Sequence, residues 1–200
     1  MPLTNAQPLA AWRSSQGGTA ITSVSARAEF HNVELGVNEC GPAAVLNRLL
    51  WLRTNFDLSM PDQFLAMDSM KTALNWGPTR VTPPYQGYLP GVLVGDKDQF
   101  MFDHDLPIQT IQTTNFNLVF DALAKGYDIE ISMSGHVAVV VGLTALNNGK
   151  YVITLQDDSL QDFEGGLARY PVVYDPATDT LDGSPWGRSV GEFIIERPSP

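Results

Sequence analysis

The feature that most constrains this chain is a strand–turn–strand run in its second half. His136 to Leu143 contains Val137-Ala138-Val139-Val140-Val141, and Lys150 to Gln156 is a second strand-like stretch. Valine's two Cβ substituents suit a pleated, buried surface. Between the two stretches lies Asn147-Asn148-Gly149. Asn and Gly tolerate the left-handed backbone that hairpin turns require, so the two strands are expected to pair antiparallel.

The surrounding pattern extends this to a fold class. Pro42 suits a first helical turn, where its missing N–H removes no intrahelical bond. Ala44, Val45, Leu49 and Leu52 then share one helical face, widened by Leu46, Leu50 and Trp51. A second helix is expected after Ser59, with Pro61 in its first turn and Phe64, Met67, Met70 and Leu74 near helical spacing. Residues 77–95 carry Pro78, Pro83, Pro84, Gly87, Pro90 and Gly91 and read as a loop or broken segment. Asn117 to Lys125 reads as a short helix stopped at Gly126. Strands are expected at Tyr127–Met133, Arg169–Tyr174 and Gly191–Glu196. Helices followed by antiparallel strands indicate an α+β domain. Residues 1–28, rich in Ser, Ala, Thr, Gln and Gly, read as a weakly ordered arm before a domain over 29–200.

Composition narrows the function classes. The 200 residues carry a formal net charge of -10, with 12 basic against 22 acidic side chains. No cluster of Lys and Arg is present to neutralise phosphates, so nucleic acid is not an expected partner, and anionic membrane surfaces are disfavoured. No stretch approaches the roughly 18 apolar residues of a membrane span, and no signal peptide is visible. With Cys40 the single cysteine, neither an intramolecular disulfide nor a thiolate zinc site is available. His31, His104 and His136 lack the spacing of metal ligands, and no metal or cofactor is expected. His104 lies in the charged run Phe102-Asp103-His104-Asp105, and His31 precedes the Cys40 loop. Compartment and oligomeric state are not encoded in these features.

Three residues carry candidate chemistry. Cys40 sits in Asn38-Glu39-Cys40-Gly41-Pro42-Ala43-Ala44, just before the first helix. The free N–H groups and positive dipole end of a helix N-terminus stabilise a thiolate and can face an oxyanion. A thiolate nucleophile needs a base that also protonates the leaving group, and His136, opening the valine-rich strand, is the candidate. The base needs an acceptor for its second ring nitrogen. If Leu143 pairs with Tyr151, His136 lies opposite Asp158, with Asp157 adjacent. Singly, each has an ordinary structural reading: a buried thiol, a core histidine, a solvated acidic pair. Their order, each at an element boundary, is what points to catalysis.

Cys40-Gly41-Pro42-Ala43-Ala44, Gly135-His136-Val137-Ala138-Val139-Val140-Val141-Gly142 and Val152-Ile153-Thr154-Leu155-Gln156-Asp157-Asp158-Ser159 together resemble the bacterial C39-like branch of the papain-like cysteine peptidases. The resemblance spans roughly residues 30–165. It implies a papain-like fold, with the Cys-bearing helix packed on an antiparallel sheet. It also implies a Cys40–His136–Asp157 triad, because Asp157 aligns with the family's Asp and Asp158 with the position after it. The family usually carries a Gln six residues before the Cys, whose amide helps form the oxyanion hole. Glu34 stands there in this chain, and a carboxylate repels an oxyanion unless protonated. Asn38 or Asn32 is the available substitute. The implied function is a cysteine peptidase acting on a peptide or protein substrate at a peptide or isopeptide bond. The alternatives are an inactive papain-like domain that binds peptides or proteins, and an acyltransferase with the same residue set.

Overall fold

The hairpin grows into an eight-stranded antiparallel sheet. In a computed structural model the described residues are 17–25, 40–60, 66–73, 90–133, 136–157, 168–184 and 190–200. Among them the helices are α1 (Cys40–Phe56), α2 (Met67–Ala73), α3 (Pro90–Asp103) and α4 (Phe116–Ala124). The strands are β1 (Ala20–Ser25), β2 (Ile108–Thr113), β3 (Asp128–Met133), β4 (His136–Leu146), β5 (Tyr151–Asp157), β6 (Ala168–Asp175), β7 (Thr180–Asp182) and β8 (Val190–Pro198). The strand order is β2-β8-β3-β4-β5-β6-β7, with β1 also paired to β4. The chain is thus a mixture of helices and strands built on one antiparallel sheet, with α4 lying between β2 and β3 in sequence rather than all helices preceding the strands.

Strand alternation gives the sheet two apolar faces. On one, Val119, Ala122 and Leu123 of α4 pack on Ile129, Ile131, Ala138, Val140, Ile153, Leu155, Phe193 and Ile195. On the other, Val45, Leu49, Trp51 and Leu52 of α1, with Met70 of α2 and Phe100 and Met101 of α3, pack on Val139 and Val141. Each buried aliphatic side chain contributes about 1.5–3 kcal/mol relative to exposure, so this two-sided burial of β4 is the main stabilising feature.

The hairpin register differs from expectation. Leu143 pairs with Ile153, not Tyr151, and beyond a bulge Val139 pairs with Gln156. Two causes combine. The turn closes with the Leu146 carbonyl and amide around a three-residue loop, where Leu146 N–H donates to the Lys150 carbonyl at 2.8 Å and Gly149 takes φ 81°. The bulge between Val140 and Gly142 then adds one residue to β4 and shifts the inward-facing phase from Val140 to Leu143.

Two further expectations are corrected. The segment read as a weakly ordered arm supplies β1: Ser25 pairs with Gly142 and Thr22 with Ala145. The reason is backbone satisfaction. β3 covers only His136 to Val139 along that edge of β4, and β1 takes up the remaining edge. Ser23 and Thr144 hydroxyls bond across the pair at 2.8 Å. Residues 1–16 and 26–28 lie outside the described residues. Second, residues 90–95 of the expected loop are the start of α3, because Pro90 occupies its first position, where proline is tolerated. Residues 77–89 lie outside the described residues, as do 61–65 and Leu74 of the expected second helix.

Helix α4 lies one residue earlier than the sequence suggested. Its N-cap, Asn115, accepts the Asn117 N–H at 3.0 Å, and Gly126, at φ 79°, ends it.

Candidate functional site

The three candidate residues stand at element boundaries. Cys40 is the first residue of α1, the position of a helix that offers unsatisfied N–H groups. His136 is the first residue of β4 and pairs with Met133, the last of β3, across residues 134 and 135. Asp157 is the last residue of β5 and pairs with Ala168 of β6. The side chains of Cys40, His136 and Asp157 lie outside what is described. So do all of Asp158, Glu34, Asn38, Asn32 and His31.

The elements that carry these boundaries are tied together by buried packing, a side-chain hydrogen bond and strand pairing. α1 and β4 share an apolar cluster in which Val45 and Leu49 meet Val139 and Val141. Val45 is five residues into the helix from Cys40, and Val139 is three residues along the strand from His136. The far end of α1 is fixed by Trp51, whose indole N–H donates to the Gly126 carbonyl at 2.8 Å. On β5, Gln156 pairs with Val139 and is fully buried, so the residue preceding Asp157 is anchored in the sheet. Sequence reasoning passed over Gln156. Its signal is a polar residue at the inward phase of a strand.

A second polar group beneath the sheet was also missed. Lys97 of α3 is buried and its ammonium ion-pairs with Glu130 of β3, while Glu196 of β8 approaches to 3.9 Å. Thr110 of β2 donates its hydroxyl to Glu196 at 3.2 Å. Asp128, also buried, stands opposite Glu196 in the register. The signal lay in Asp128-Ile129-Glu130-Ile131, whose alternation places both carboxyl side chains on one face of β3. α3 covers that face.

His104 is half-buried at the end of α3, with its ring edge-to-face to Phe100 at 4.7 Å. Among the described residues no group of three or more His, Cys, Asp or Glu side chains is arranged to hold a metal ion. No described helix is long and apolar enough to cross a membrane.

No family model matches the chain, and no curated protein matches it in sequence. In structure it is similar to UfSP from C. elegans, a cysteine protease, with a TM-score of 0.53 at 12% sequence identity. The match covers 99% of this chain and 36% of UfSP, so the chain spans about a third of the length of that protein. The likeness is one of fold alone: helices packed on an antiparallel sheet.

Proposed function

We propose that this protein is a papain-like cysteine peptidase of the C39-like kind, hydrolysing a peptide or isopeptide bond through Cys40, His136 and Asp157. The observation that carries the reading is topological. Cys40 opens the helix and His136 opens the strand of one packed α1–β4 pair. The fold likeness to a cysteine protease supports the same reading.

The chemistry follows from residue type. His136 takes the Cys40 proton, giving a thiolate stabilised by the N-terminal end of α1. The thiolate attacks the substrate carbonyl, and N–H groups at the helix start stabilise the oxyanion. The imidazolium then protonates the departing amine as the C–N bond breaks. Water, deprotonated by His136, releases the acid from the thioester and restores the thiol. Asp157 accepts the second ring N–H and fixes the tautomer, with Asp158 the alternate. Every atom is supplied by the enzyme, the substrate and water, so the cycle needs no cofactor.

A second reading is favoured by one specific residue. Glu34 stands where an oxyanion-hole amide is usual, which suits a papain-like domain that binds peptide or protein without cutting it. A pool of unstructured peptides assayed with Cys40→Ser and His136→Ala as controls separates the two. Cleavage lost in both variants supports the peptidase. Peptide binding without cleavage by the native chain overturns it in favour of the binding module. Product joined to an added amine instead of water identifies an acyltransferase.

A further inference from the structure

β2 forms one edge of the sheet. It pairs with β8 without a bulge, from Ile108 opposite Pro198 to Thr113 opposite Phe193. The Ser199 N–H donates to the Pro107 carbonyl at 2.8 Å, and that bond sets the phase of the ladder. Bonded and non-bonded pairs alternate along an antiparallel ladder. Gln109, Ile111 and Thr113 therefore exchange bonds with β8, whereas Thr110 and Gln112 turn their N–H and C=O groups to the outer edge. The Ile108 carbonyl points the same way, its N–H being taken by the Leu106 carbonyl. No described strand pairs with that edge. Gln109 and Gln112, on opposite faces of β2, are both exposed, so solvent reaches both sides of the strand.

Edge strands are usually blunted by a charge, a proline or a bulge. Ile108-Gln109-Thr110-Ile111-Gln112-Thr113 carries none of these. The charges gather at its N-terminal end instead. Asp103 ends α3 and Asp105 lies in the connection to β2, both exposed, with exposed Asp98 further back on α3. The hydrogen bond Asp103 accepts comes from a neutral amide, that of Gln99. The cation beside β2, Arg197, is engaged by Gln109, whose side-chain oxygen accepts its guanidinium at 2.8 and 3.0 Å.

We propose that the outer edge of β2 is a docking site for an extended, Lys- or Arg-bearing segment of a partner protein, added as a further antiparallel strand. Backbone bonds to Thr110, Gln112 and the Ile108 carbonyl hold it. Antiparallel addition carries its C-terminal half past the N-terminal end of β2, where its cations meet Asp103 and Asp105. A second copy fits this edge less well, because each chain carries a formal net charge of -10. β8 and β3 separate the edge from β4, so the site stands whether or not the chain cuts peptides.

The probe is a blocked octapeptide alternating lysine and valine, titrated into the full chain by calorimetry, with its glutamate–valine counterpart as the charge control. Amide exchange at Thr110 and Gln112, followed by NMR, reports the edge itself. Gln112→Pro removes one outward N–H and leaves the β8 ladder intact. Asp103→Asn with Asp105→Asn removes charge and keeps shape, and Asn tolerates the φ of 52° at position 105. The docking site predicts that the lysine peptide slows exchange at both amides and that the glutamate peptide does not bind. Gln112→Pro is expected to weaken binding about tenfold, and the double Asn variant to weaken it and flatten its fall with salt. Should Gln112→Pro not fold, Gln112→Lys replaces it, with the same loss expected from a cation set on the edge. Unchanged exchange at Thr110 and Gln112, or equal binding by the edge variant, would overturn the site and leave only attraction to an acidic surface. A dimer in sedimentation that the edge variant dissolves would overturn it as well, giving the edge to a second copy.

Discussion

Lys97 on α3 and Glu130 on β3 form an ion pair with both side chains withdrawn from water, at 0% and 1% exposure. A pair so buried is conditional. Each charge is tolerable only while the other is present, and removing one partner typically costs about 3–5 kcal/mol. Lys97→Met is therefore expected to destabilise the chain by that order, measured by urea unfolding. Lys97→Met combined with Glu130→Leu is expected to lose less than Lys97→Met alone, because the carboxylate that the ammonium contacts most directly is then removed with it. A double variant at least as damaged as the single one would contradict this.

The α1–α4 junction gives a second prediction. Trp51 donates to the carbonyl of Gly126, and Gly126 sits at φ 79°. Trp51→Phe keeps most of the apolar contact and removes the donor, which is expected to cost about 1 kcal/mol. Gly126→Ala forces a Cβ into a left-handed backbone and is expected to cost about 1–2 kcal/mol. Denaturation midpoints measure both. Neutral outcomes at both positions would mean the junction does not hold α1.

Tyr174 predicts behaviour at high pH. Burial, and then the hydrogen bond its hydroxyl donates to Asp179 at 2.8 Å, push its phenol up to about 12 from an ordinary 10. The negative charge of Asp179 itself, with Asp175 and Tyr151, adds to the rise. The folded state thus favours the protonated phenol. Its contribution to stability is fully present below pH 10 and is lost as the pH rises from 10 to 12. The stability gap between the native chain and Tyr174→Phe should narrow across that interval in alkaline unfolding. A gap that stays constant would contradict the assignment.

Asp175 works in the opposite direction. The Lys150 ammonium at 2.9 Å, and then the Ala177 N–H, hold its carboxyl below the usual carboxylate range. Its contribution is present above the ordinary carboxylate value and is lost as the pH falls through the lowered one. Lys150→Met is expected to remove most of this dependence, moving the acid limb attributable to Asp175 to higher pH. An acid unfolding curve superimposable on that of the native chain would contradict it.

The central elements were legible because periodicity and turn chemistry agreed there. Val137 to Val141, the Asn147-Asn148-Gly149 turn and the Asn115–Gly126 helix all carry local signals that packing reinforces. The failures have equally local causes. β1 is a Ser- and Thr-rich, largely exposed strand whose reason for existing is the uncovered edge of β4, a long-range condition absent from its own sequence. The start of α3 was hidden by Pro90 and Gly91, residues that usually mark loops. The hairpin register missed because Leu146 closes on Lys150 around a three-residue loop, and because the bulge at Val140–Gly142 leaves no compositional trace. The Lys97 cluster was hidden because a carboxylate facing a covering helix is written in the same letters as one facing water. For the candidate site, the boundaries at Cys40, His136 and Asp157 follow from Pro42 and the strand pattern. The alignment of their side chains is a tertiary property that spacing does not encode.

The most direct test of the catalytic reading is the pH dependence of Cys40 alkylation by iodoacetamide, in the native chain and in His136→Ala. As the single cysteine, Cys40 reports without interference. The account predicts rapid alkylation below about pH 7 that is lost when the imidazole is removed, the behaviour of a thiolate–imidazolium pair. Slow alkylation in both proteins, rising with an ordinary thiol near about pH 8.5, would contradict it.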